Sequence, residues 1–89
     1  MKTLIFTRGA NAIKQIQECK EYASSNGLEI VVVVDNEKDL TVSVLGGGIE
    51  CVIVSHASRI SRSRKEFLET ERMLNRFGVK LIAAEGETL

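Results

Sequence analysis

Seven consecutive residues, Glu29-Ile30-Val31-Val32-Val33-Val34-Asp35, restrict this chain more than any other stretch. Five β-branched side chains in a row resist the helix and favour extended backbone. The run lacks the polar–apolar alternation of a half-exposed strand, so it predicts an interior strand of a parallel sheet, buried on both faces. Three more short apolar runs, at residues 2–7, 50–55 and 80–84, read as strands of the same kind.

The segments between them carry helical spacing. Ala12, Ile16, Cys19 and Ala23 fall on one helical face. Asn26-Gly27 closes that helix, with Leu28 positioned to fold back on Ala23. Asn36-Glu37-Lys38 is expected to turn the chain, and residues 39–45 to form a short, poor helix of weak formers. Gly46-Gly47-Gly48 then breaks it. Those glycines are not followed by Lys-Ser/Thr and do not join a strand directly to a helix, so they read as a connection rather than a phosphate cradle. Phe67, Thr70, Leu74 and Phe77 line a third helix over residues 64–77, capped at its start by Ser63 with Glu66 and ended by Gly78.

The order β-α-β-α-β-α-β, without a proline or an internal repeat, predicts a three-layer α/β fold. Its sheet is four-stranded and mainly parallel, in the order 2-1-3-4, with helices on both faces. At 89 residues the chain is a single domain with one core.

Twelve basic and twelve acidic residues cancel, which excludes DNA binding by bulk positive charge; any nucleic-acid contact has to be local, or assisted by another domain or partner. No apolar run is long enough to span a membrane, and the few residues before Arg8 are too short for a signal peptide, so a cytoplasmic location is expected. Cys19 and Cys51 lack metal-type spacing and read as reduced core residues. His56 has neither cysteine nor second histidine nearby, so no metal is expected.

The chemistry concentrates where strands end. Ser55-His56-Ala57-Ser58-Arg59-Ile60-Ser61-Arg62-Ser63 leaves the third strand and enters the third helix, and Arg8 leaves the first. In open α/β sheets ligands bind at that edge. Arginine offers a planar fork of donors matched to phosphate oxygens. If strands one and three are neighbours, Arg8, Arg59 and Arg62 converge on a site of phosphodiester size. The plainer reading is that these arginines pair with Glu37, Asp39 or other acids.

At this level of detail the chain resembles the N-terminal catalytic domain of the serine recombinases, the resolvase/invertase family, and its large-recombinase branch more closely. Phe6-Thr7-Arg8 stands where the family has Tyr-x-Arg, and Asp35 closes the second strand as in the family. The segment from Gln17 to Ala23, followed by Asn26-Gly27 and Glu29-Ile30, also matches. Ser58-Arg59-Ile60-Ser61-Arg62-Ser63 occupies the place of Asp-Arg-Leu-x-Arg-Ser/Asn, and Gly78-Val79-Lys80-Leu81-Ile82 with Glu85-Gly86 matches the closing strand and turn. The resemblance implies a resolvase-like (flavodoxin-like) sheet, DNA as partner, and a homo-oligomer or a recombinase as further partner, with no cofactor. It also implies that Arg8, Arg59 and Arg62 are catalytic and DNA-phosphate-binding residues.

The same resemblance exposes departures. The family's nucleophilic serine lies two residues beyond the first arginine, where this chain has Ala10, and its aspartate before the second arginine is Ser58. Position 9 is Gly9, and the segment between Asn36 and Gly48 is shortened and lacks the family's Ser-Gly and further arginine. The chain also stops before the family's long helix and DNA-binding domain, as a fragment or a stand-alone remnant would. The expectation is therefore a recombinase-like domain without strand transfer and with weak DNA binding. Two alternatives stand beside it: a working enzyme using Ser58, Ser61 or Ser63, and a non-catalytic flavodoxin-like module that binds phosphate or a protein.

Overall fold

A computed structural model of the chain describes residues 1–56 and 64–84. Along the chain run β1 (Lys2–Phe6), α1 (Ala12–Ser25), β2 (Glu29–Val34), α2 (Glu37–Leu45), β3 (Cys51–Val54), α3 (Arg64–Arg76) and β4 (Lys80–Ala83). The four strands form one parallel sheet in the order β2-β1-β3-β4, the arrangement the sequence predicts.

Leu4, Ile5 and Phe6 point alternately to the two faces of the central strand, and all three are buried. Leu4 and Phe6 join Val52, Val54, Leu81 and Ala83 under Leu40 and Val44 of α2 and Leu74 of α3. Ile5 and Ile53 pack on the opposite face against Cys19, with Ile16 and Tyr22 of the same helix beside them. One helix therefore covers one face and two cover the other.

The valine run does not lie inside the sheet. β2 is an edge strand, and Val31 and Val33 are 45% and 42% exposed. Burial alternates along it, so the unbroken valines do not mark burial on both faces, and a bulge interrupts its pairing with β1. Thr3 pairs with Ile30 but Leu4 pairs with Val32, so Val31 is an extra residue and the face met by the side chains changes across it. Ile30 packs on the α1 face, whereas Val32 and Val34 pack on the other. Charged Glu29 and Asp35 flank the run, which discourages pairing with another sheet edge.

The second correction concerns residues 36–38, which are not a turn. Asn36 is the N-cap of α2, its Oδ1 accepting the Asp39 N–H at 2.8 Å, and the helix starts at Glu37. Glu37 and Asp39 in the first turn complement the helix dipole and help offset the poor formers that follow. Gly46-Gly47-Gly48 lead into β3, and therefore lie at the edge of the sheet opposite to the end of β1.

Candidate anion site at the C-terminal edge of the sheet

β1 delivers Arg8 to the edge where parallel strands end, and the turn that follows is built around one side chain of α1. Gln15 is 2% exposed. Its Oε1 accepts the Arg8 backbone N–H at 3.1 Å, and its Nε2 donates to the carbonyls of Arg8 at 3.0 Å and Ala10 at 2.8 Å. The amide orientation follows from these partners, since the reverse would set an oxygen against two carbonyls. The turn itself needs unusual backbone: Gly9 has φ 79° and Asn11, the residue before α1, has φ 64°. Glycine adopts such a φ without the Cβ penalty, and asparagine tolerates it better than most residues. Ala10 lies between them, exposed to solvent.

Arg8 projects from this rigid turn toward α2. Its Nη1 donates to Glu37 Oε1 at 2.8 Å, in a pair whose side chains are 46% and 55% exposed. The neighbouring acids are held by Asn36, whose Nδ2 donates to Asp35 Oδ1 at 2.8 Å and to Asp39 Oδ2 at 2.9 Å. Beyond the end of β3, His56 Nε2 lies 3.8 Å from Glu18 Oε2 of α1. The hydroxyl of Ser55, 1% exposed, has no hydrogen-bond partner among the described residues.

Of the residues singled out from the sequence, Arg8 and Ala10 lie in the connection between β1 and α1. Arg59, Arg62, Ser58, Ser61 and Ser63 lie outside the described residues, as does the convergence of the three arginines. Its precondition holds: β1 and β3 are hydrogen-bonded neighbours, with Thr3 to Ile5 paired to Cys51 to Ile53. Among the described residues no group of three or more His, Cys, Asp or Glu is arranged to hold a metal ion. No described helix is long and apolar enough to cross a membrane.

Gln15, which bonds the turn at Arg8, is not among the residues singled out from the sequence. Its signal was present, because Gln15, Cys19 and Ala23 recur every four residues and are the buried residues of α1. A polar side chain inside an apolar stripe must find buried partners, and the backbone of the preceding turn supplies them.

Both cysteines are buried and unpaired. Burial, and secondarily the charge of Glu18, pushes the Cys19 thiol up from its ordinary value of 9.0 to about 12. Burial also raises the Cys51 thiol, opposed by a hydrogen bond from Thr3 and by the positive charges of Lys80 and the N-terminus. Neither is an activated thiol.

Two solved structures share this architecture. The N-terminal catalytic domain of TP901-1 integrase superposes with a TM-score of 0.88 at 19% identity, covering 96% of this chain and 78% of that one. A resolvase family site-specific recombinase from Streptococcus pneumoniae superposes with a TM-score of 0.87 at 23% identity, covering 99% and 75%. At these identities the likeness is one of fold: the chain has the α/β fold found in resolvase and integrase catalytic domains. No family model matches the chain, and no curated protein does.

Proposed function

We propose that this chain is a serine-recombinase-type domain that binds DNA phosphate at the C-terminal edge of its sheet and does not transfer strands. One observation carries the reading. Two residues beyond the end of the central strand, Arg8 stands on a turn bonded to Gln15, and the exposed residue two positions later, Ala10, offers a methyl group where the family resemblance calls for a hydroxyl. Attack on phosphorus requires a nucleophilic oxygen or its equivalent, and alanine has none. Electrostatic recognition of phosphate needs only the guanidinium groups. On this reading Arg59 and Arg62, following β3, join Arg8 in contacting phosphate, and the domain acts through DNA or through a recombinase partner in the cytoplasm.

Incubation with DNA carrying recombination sites tests the chemistry. No covalent protein–DNA adduct is expected, and a phosphoserine linkage found at any residue overturns the proposal. Non-covalent binding should be weak and fall steeply with salt. Arg8→Ala, Arg59→Ala or Arg62→Ala should each weaken it by about 1–3 kcal/mol, the scale of one lost charged hydrogen-bond partner. Binding undiminished when all three are replaced removes the arginines from the site.

A further inference from the structure

We propose that Glu37 is a built-in occupant of the phosphate position at Arg8, an intramolecular carboxylate that a nucleic-acid phosphate must displace. The inference rests on the phosphate-binding reading and adds a regulatory element to it. A carboxylate presents to guanidinium the same acceptor oxygens as a phosphate, which is why the two compete for arginine. Here the competitor is part of the fold: Arg8 Nη1 donates to Glu37 Oε1 at 2.8 Å.

Three features make this more than a surface pair. The arginine is anchored at its main chain, because Gln15 grips both the N–H and the carbonyl of Arg8. The backbone that carries the carboxylate is anchored too. Glu37 opens α2 directly after Asn36, whose side chain binds Asp35, Asp39 and the Asp39 backbone. Finally, the same connection carries Asp35 and Asp39, which adds negative charge to the segment that holds Glu37. Both partners remain about half exposed, which leaves the pair open to exchange rather than sealed.

Removing the charge of Glu37 takes one carboxylate partner from the guanidinium and removes a repulsion close to the bound phosphate. Each effect is small in water, and together they amount to a gain of about 3- to 10-fold in affinity at low salt. The gain shrinks as salt screens it.

Anisotropy titration of a short labelled DNA duplex measures this for the wild type, Glu37→Gln, Arg8→Ala and the double variant. Glu29→Gln serves as a charge-matched control, because Glu29 begins β2 and lies at the opposite edge of the sheet. Circular dichroism confirms that each variant is folded. The expected result is tighter binding by Glu37→Gln alone, with the gain abolished in the Arg8→Ala background. An equal gain from Glu29→Gln, or a gain that survives Arg8→Ala, shows a general charge effect and overturns the proposal. Arg8-dependent binding that Glu37→Gln leaves unchanged also overturns it, while the phosphate-binding reading stands. Absence of Arg8-dependent binding in every variant overturns both.

Discussion

Replacing Gln15 should damage the turn at Arg8 in a way that depends on what replaces it. Gln15→Leu keeps the side-chain size and deletes three hydrogen bonds, to the Arg8 N–H, the Arg8 carbonyl and the Ala10 carbonyl. At about 1 kcal/mol net apiece the loss is about 3 kcal/mol. The exposed surroundings of Arg8 and Ala10 let water recover part of it, and the added apolar burial recovers a little more, leaving about 1–2 kcal/mol. Gln15→Glu is harsher at neutral pH, because it turns an oxygen anion toward two carbonyls at a site 2% exposed. An unpaired charge in such a place costs about 3–5 kcal/mol.

The pH dependence has a definite sign. Burial raises the introduced carboxyl above the ~4.3 of an unfolded chain, so its neutral form is favoured in the folded state. The penalty is therefore absent at low pH and grows as pH rises through the folded value, where the wild type shows no such trend from this position. Urea unfolding followed by circular dichroism reads all three proteins, with an unchanged slope as the check on two-state behaviour. Equal stability of Gln15→Glu and Gln15→Leu at neutral pH, or a Gln15→Leu cost below about 0.5 kcal/mol, refutes the assignment of Gln15 as the clamp of this turn.

Three further predictions concern the scaffold. Cys19 and Cys51 should resist aromatic disulfide reagents in the native state and react on unfolding, since both are fully buried. The Cys19 thiol keeps its proton up to about 12 when folded but releases it near 9.0 when unfolded, so its contribution to stability is complete below 9.0 and is lost as pH rises toward 12; urea midpoints that rise across that window contradict this. Gly78→Ala should cost about 1 kcal/mol. Gly78 ends α3 at φ 69° with nothing within 4 Å of an added Cβ, so the cost is backbone strain without a clash; an unchanged melting temperature would show that the cap tolerates alanine.

The residues differ in how plainly the sequence announced them. β1, β3 and β4 were legible because both faces of each lie against protein, and an uninterrupted apolar run is the direct trace of that burial. The two helix ends at Gly27 and Gly78 were legible because the chain folds back there, with the Leu28 N–H donating to the Ala23 carbonyl and the Val79 N–H to the Leu74 carbonyl. β2 is the exception because its exposed positions, Val31 and Val33, are the same residue type as its inward ones, so a string of valines does not separate an edge strand from an interior one. Only the pairing partner separates them, and that partner, β1, lies more than twenty residues upstream. The start of α2 was hidden for another reason. Asn36 and Asp39 have the spacing of a cap, but weak formers and a glycine run outweighed it in a local reading. The Arg8–Glu37 pair crosses 29 residues, and only the placement of β1 beside β2 selects Glu37 over the other acids.

The clamp on the turn also separates frame from chemistry at position 10. Gln15 holds main-chain atoms of Arg8 and Ala10 through its three hydrogen bonds there. The positive φ values belong to Gly9 and Asn11, on either side. Nothing in this grip depends on the side chain at residue 10, which is exposed and whose carbonyl alone is used. A hydroxyl added at Ala10 would therefore sit on the same backbone and alter the chemistry without altering the fold. The converse follows on the proposed reading. Losing that oxygen costs a recombinase-type domain its nucleophile but none of the geometry that presents Arg8. On that reading the presentation of Arg8 can outlast the reaction, because the turn that carries it is held by main-chain hydrogen bonds to one buried glutamine.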